Sequence, residues 1–210
     1  MKKYLVESNS DKLLIFFTGW GCDESEFEHI KSESDVLLLY DYTDLNLDFD
    51  FSKYKKFDLI AFSAGVFVAS VVNFDFKIDN RIAISGNPYL FDEKLGLSKE
   101  IQNVLCNINE QNADDFARNY LVKTEEEWKL FHHSKRTIES CRAEFESLRA
   151  LYTSKQKDIK DTFNNAIMGA DDKIFNISVQ KEFYRNRLKL IGNARHNLFF
   201  RVKDFKEFLL

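Results

Sequence analysis

Short apolar runs separated by polar connectors fill the first ninety positions. Lys12–Phe17, Val36–Tyr40, Phe57–Phe62 and Arg81–Ser85 are the clearest. They do not alternate apolar with polar, and Gly or Asp bounds them, as expected of strands buried on both faces of a parallel sheet. Helical patterns fit between them, over Glu24–Ser32 and Ala64–Asn73. Strand and helix in alternation predict an α/β fold. From about Lys99 to Lys160 the pattern turns helical and strongly charged. Phe131, Ile138, Phe145 and Tyr152 recur every seven residues and predict one apolar stripe. Lys135, Arg142 and Arg149 recur with the same period, about 40° around the helix from that stripe. Strands return at Phe163–Met168 and Leu188–Ile191, and Leu198–Leu210 is expected to close the chain as a helix. The whole of 1–210 thus reads as one α/β domain with a helical insertion at about 98–160.

Charge sharpens the picture of that insertion. Between Trp128 and Lys160 there are eight Lys and Arg against four Asp and Glu, whereas the chain as a whole carries −4. A basic helical insertion sits on an acidic body. The overall acidity argues against nucleic acid as a general partner, because neutralising phosphates needs a basic excess. No apolar run approaches the length of a membrane span, and the apolar stretch near Met1 is too short for a signal peptide. No membrane partner is expected, and the chain should stay in the cytoplasm. Three widely spaced cysteines, Cys22, Cys106 and Cys141, fit neither a disulfide framework nor a zinc site. No glycine-rich nucleotide motif occurs, so no cofactor or metal is expected.

The sharpest local signal is Ala61-Phe62-Ser63-Ala64-Gly65, between an apolar strand and a helical run. A small-x-Ser-x-Gly string in that setting is a nucleophile elbow: small residues permit the tight turn, and the serine is lifted clear. A serine hydroxyl needs a base to take its proton. Of the four histidines, only His196 follows the last predicted strand on a loop. The acid should follow the preceding strand, where Asp171 and Asp172 are both candidates. Asp172, two residues before the apolar Ile174, is favoured. The order Ser63…Asp172…His196 is that of α/β hydrolases. An oxyanion needs amide donors. The residue after the nucleophile, Ala64, should supply one, and the loop Thr18-Gly19-Trp20-Gly21-Cys22 the other, at Trp20. Cys22 is a weaker alternative nucleophile, since it lacks a strand-to-helix elbow. The acidic stretch Asp41, Asp44, Asp48 and Asp50 reads as a solvated loop.

These strings together resemble a known family. Phe16-Phe17-Thr18-Gly19-Trp20-Gly21-Cys22-Asp23, Tyr40-Asp41-Tyr42, Phe62-Ser63-Ala64-Gly65-Val66, and Ser85-Gly86-Asn87-Pro88 with Asp92 and Gly96 are similar to motifs of the BioG family of compact α/β hydrolases. The elbow differs from the usual Trp-Ser-Met-Gly by having Phe62 and Ala64. The resemblance implies hydrolysis of pimeloyl-[acyl carrier protein] methyl ester in biotin synthesis, with a triad of Ser63, Asp172 and His196. It also implies an acidic carrier protein as partner, for which Lys135, Arg142 and Arg149, helped by Arg136, would form the docking charges. Another esterase or a thioesterase on the same scaffold is the main alternative, and a non-catalytic binding protein a lesser one.

Overall fold

A computed structural model describes residues 1–209. Its sheet contains β1 (Lys2–Val6), β2 (Lys12–Phe17), β3 (Asp35–Tyr40), β4 (Lys56–Phe62), β5 (Asn80–Ile84), β6 (Asn165–Gly169) and β7 (Leu188–Ile191). The spatial order is β1-β3-β2-β4-β5-β6-β7. All neighbours are parallel except β1, which runs antiparallel to β3. The unalternating strands are explained by two cores. In β2, Leu13, Ile15 and Phe17 enter the core on one face, while Leu14 and Phe16 enter the core on the other. In β4, Leu59 and Ala61 face one way and Ile60 and Phe62 the other. The chain passes from β3 across β2 to β4, so the sheet's direction of growth reverses between β2 and β4. In open α/β sheets ligands bind at the carboxyl ends of strands flanking such a reversal. The loops after β2 and β4 meet there.

Helix α1 (Ala64–Val71) follows β4 directly. Between β5 and β6 lie α2 (Lys99–Cys106), α3 (Ala113–Phe116), a π-helical turn (Ala117–Leu121), α4 (Glu125–Leu130) and α5 (Ile138–Lys155). The stripe on α5 buries Phe145, Leu148 and Tyr152 in the same core as one face of β2. Phe131 of the apolar row and Lys135 of the basic row both precede α5. Thr137 caps α5 by accepting the Ser140 amide, so the seven-residue period read from the sequence runs past the helix start. Helix α6 (Ile177–Tyr184) joins β6 to β7.

Two predicted helices are absent. Glu24–Ser32 contains one 3₁₀ turn, Glu24–Phe27, capped by Asp23. The chain then turns so that Phe27 and Ile30 reach the core and Lys31 bridges to Asp204. Leu198–Leu210, whose last residue lies outside the described residues, forms two 3₁₀ turns, Phe199–Arg201 and Phe205–Glu207. Phe199 and Phe205 both insert against Phe16, and Asp204 caps the second turn. Burying both rings takes precedence over helix continuity. Among the described residues no helix is long and apolar enough to cross a membrane.

The start of β3 carries an acid-sensitive anchor. The Asp35 carboxylate is fully buried and accepts from the Ser8 and Ser10 amides, the Tyr54 hydroxyl and the Lys53 ammonium. Burial pushes its pKa up, but the Lys53 and hydrogen-bond contributions outweigh it and hold the group at about 2. A depressed folded-state pKa stabilises above the unfolded value near 3.8 and ceases to as pH falls through about 2. Urea unfolding should therefore show a loss of stability between about pH 5 and about pH 1.5 that is smaller in Asp35→Asn. An equal loss in both proteins would assign the acid sensitivity elsewhere.

Candidate active site

Strand β4 ends at Phe62, and the next residue turns sharply. Ser63 has φ 52° and ψ −119°, a left-handed conformation that costs a non-glycine residue about 1–3 kcal/mol. Its amide is tied to the Ile84 carbonyl at 2.9 Å, which holds the turn in place. Gly65 makes the turn feasible. A Cβ there would lie 2.5 Å from the Phe17 carbonyl oxygen, so only glycine lets α1 begin this close to the end of β2. The hydroxyl of Ser63 is thereby presented at the sheet's carboxyl edge.

The other two triad candidates converge on it. His196 Nε2 lies 2.9 Å from Ser63 Oγ, and His196 Nδ1 lies 2.8 Å from Asp172 Oδ2. The second Asp172 oxygen accepts the amides of Ile174 and Phe175. Those bonds fix the carboxylate and leave Oδ2 for the histidine. Asp171 is half-exposed and pairs with Lys123 instead. Gly169 lets the aspartate loop pass against the backbone of Arg195 and Ala194, where any Cβ would overlap their carbonyls. His196 is 2% exposed, with its ring between Phe62 and Phe175.

The histidine loop also leans on the helical segment. His196 and Asn197 donate their amides to Tyr120 and Leu121, and Arg195 donates to the carbonyls of Arg118 and Val122. The π-helical turn thus forms one side of the histidine loop's support. Sequence reading missed it, because nothing in Ala117–Leu121 differs from an ordinary surface helix.

Ser63 and His196 open into a cleft of about 580 Å³. Leu90, Leu97, Leu105, Leu121, Phe145 and Leu148 supply much of its apolar wall, and Trp20 and Ala64 border it near the serine. Among the described residues, the amides of Trp20 and Ala64 have no acceptor within the protein. Cys22 also lines the cleft, but burial and then the adjacent Glu26 carboxyl push its thiol well above the ordinary value. Glu26 itself is raised to about 8 by burial and by Asp23. Cys22 is a protonated wall residue, unsuited to be the nucleophile.

A model of the family described as pimeloyl-ACP methyl esterase BioG matches residues 1–208. The chain belongs to the BioG family. A crystal structure of BioG from Haemophilus influenzae superposes with a TM-score of 0.85 at 27% identity, covering 99% of each chain. A lipase-esterase related protein from Clostridium acetobutylicum superposes with a TM-score of 0.62 at 15% identity over 95% of this chain and 93% of that one, a likeness of fold. A Bacteroides fragilis protein named malonyl-[acyl-carrier protein] O-methyltransferase is 30% identical over 196 residues, covering 88% of this chain. This chain spans 39% of that relative's length. The α/β-hydrolase fold read from the sequence is thus the observed one.

In this BioG chain the basic residues of the insertion separate into different environments. Arg136 is not a surface charge. Its side chain is 5% exposed and pairs with Glu144 at 2.6 Å and Asp41 at 3.1 Å. Burial lowers the pKa of its guanidinium, but the facing Glu144 outweighs that and raises it, so Arg136 stays charged. It is therefore removed from the set of docking residues. Arg149 lies over Phe145, bonds to Gln102 and is half-buried. Lys135 and Arg142 remain exposed. Lys135 sits in the loop before α5, its amide held by Asp23, and Arg142 reaches the Ile108 carbonyl at the cleft. Asp41, read from the sequence as part of a solvated acidic loop, is instead buried and paired with Arg136 and Lys2, and Glu144 escaped the sequence reading. A Glu and an Arg eight residues apart in a charged helical stretch look like solvated faces.

Proposed function

We propose that this protein hydrolyses the methyl ester of pimeloyl-[acyl carrier protein], giving pimeloyl-[acyl carrier protein] and methanol, as a step of biotin synthesis. The observation that carries the reading is the relay Ser63–His196–Asp172 opening onto an apolar cleft. Ser63 Oγ attacks the ester carbonyl while His196 Nε2 takes its proton. The tetrahedral oxyanion is held by the Trp20 and Ala64 amides. The C–O bond to the methoxy group breaks, and His196 returns the proton to that oxygen as methanol leaves. Water, deprotonated by His196, then cleaves the acyl-serine. Asp172 keeps Nδ1 protonated and stabilises the imidazolium throughout.

The family description supports the substrate. The Bacteroides fragilis relative adds to it, since its name describes methyl transfer to a carrier-bound acid and a segment like this chain forms part of it. Acyl carrier proteins are acidic, so Arg142 at the cleft, together with Lys135 in the loop before α5 and Arg149 on α5, would attract one. Mass spectrometry of methyl-pimeloyl carrier protein tests the reaction. Loss of one methylene's mass with the thioester intact is expected. Release of bare carrier protein would identify a thioesterase instead. Reversing Lys135 and Arg142 to Glu should raise KM for the carrier-bound ester on the order of tenfold and flatten its salt dependence. An unchanged KM and salt response would place the docking surface elsewhere.

A further inference from the structure

Helix α5 makes an unusual approach to the loop after β2. The Glu144 carboxylate is completely buried, yet both of its oxygens are hydrogen-bonded. Oε2 accepts the Gly21 amide at 3.0 Å and the Arg136 guanidinium at 2.6 Å, and Oε1 accepts the Tyr42 amide at 2.9 Å. Gly21 has φ +76° and directly follows Trp20. One turn earlier on α5, the Cys141 carbonyl accepts the Trp20 indole N–H at 2.6 Å. On the next position, Phe145 packs edge-on against the same indole. The loop bearing the Trp20 amide is therefore held from the helix at backbone and side chain. A buried charge is costly unless it is paired and hydrogen-bonded, and this one binds two amides that belong to the loops after β2 and β3.

We propose that Glu144 is a positioning residue for the reaction: with Arg136 as counter-ion it fixes the Gly19–Cys22 loop so that the Trp20 amide meets the oxyanion. This rests on the reading of Trp20 as an oxyanion donor in an ester hydrolase. Glu144 touches no reacting atom and acts through Gly21. An amide in place of the carboxylate keeps the shape but presents NH2 toward one of the two backbone N–H groups. That loop then loses its acceptor and drifts. Oxyanion contacts strengthen in the transition state, so the loss should fall on kcat rather than KM.

The test is steady-state kinetics of wild type, Glu144→Gln and the double variant Glu144→Gln/Arg136→Met on the methyl ester. The double variant withdraws the Glu144 and Arg136 charges together, and Asp41 keeps its pairing with Lys2 at 3.0 Å, so no buried ion is left unpaired. Circular dichroism selects the variants that fold. The expected result is a kcat loss of roughly 10²-fold, as for a misplacement of about 1 Å, with KM changed little. Affinity for an alkyl boronic acid, which forms a tetrahedral adduct on Ser63, should fall in parallel. Folded variants that keep kcat and boronate affinity overturn the proposal while leaving the esterase reading intact. A loss confined to KM also overturns it. A wild type with no esterase activity removes the reading on which the proposal depends.

Discussion

Ser63→Ala is expected to abolish ester hydrolysis, with kcat falling by roughly 10⁵–10⁶-fold. The substitution deletes the one oxygen placed 2.9 Å from His196 Nε2 and changes nothing else in the relay. Without the nucleophile, only the cleft and oxyanion donors remain to help water attack. The fold should survive, since the hydrogen bond from the Ser63 amide to the Ile84 carbonyl holds the turn and alanine keeps it. Discontinuous assay of methanol release measures it. Retention of more than a few per cent of activity in the purified variant would exclude Ser63 as the nucleophile. Thermal unfolding of the same sample shows whether the comparison is one of chemistry alone.

Asp172→Asn should cost nearly as much, about 10⁴-fold in kcat, for a reason visible in the two oxygens. Oδ1 accepts the Ile174 and Phe175 amides, and an asparagine can keep those bonds only by leaving its oxygen there. Its NH2 then points at His196 Nδ1. The imidazole must accept at Nδ1 and carry its proton on Nε2, the atom that should take the proton of Ser63. The base is present and correctly placed, but in the wrong tautomer. The rate should recover partly at high pH, where hydroxide replaces the need for a base. By contrast, Asp171→Asn should be close to neutral, because that side chain reaches only Lys123. A large loss in Asp171→Asn with none in Asp172→Asn would reverse the assignment.

The legible part of this molecule was the part governed by local rules. β2 and β4 announce themselves because strands buried on both faces have no polar positions. The elbow at Ser63 is readable because sterics demand small residues at 61 and 65. His196 and Asp172 follow from chain order once the serine is placed. Features set by tertiary context were not legible. β1 is an edge strand whose residues are mostly exposed, and Lys2 and Lys3 mask it. The closing segment, read as one helix, carries Phe199 and Phe205 six residues apart, on different faces of a helix, and both rings pack on Phe16 because the chain breaks into two 3₁₀ turns. Arg136 and Glu144 look solvated in sequence and are buried in fact. A seven-residue period cannot reveal where Thr137 starts the helix, so it runs on into Lys135, which lies in the preceding loop.

The support that Tyr120 and Leu121 give to the histidine loop has an evolutionary consequence. In an enzyme whose lid merely rests on the core, a new lid can be acquired whole and substrate range changes in one recombination. Here the inserted segment supplies backbone acceptors to the base and, through α5, to the loop after β2. Exchanging it would unseat both at once. Such a protein is not modular: divergence in what it accepts has to proceed by point substitution along the cleft, with the inserted helices and the α/β body inherited as a single unit.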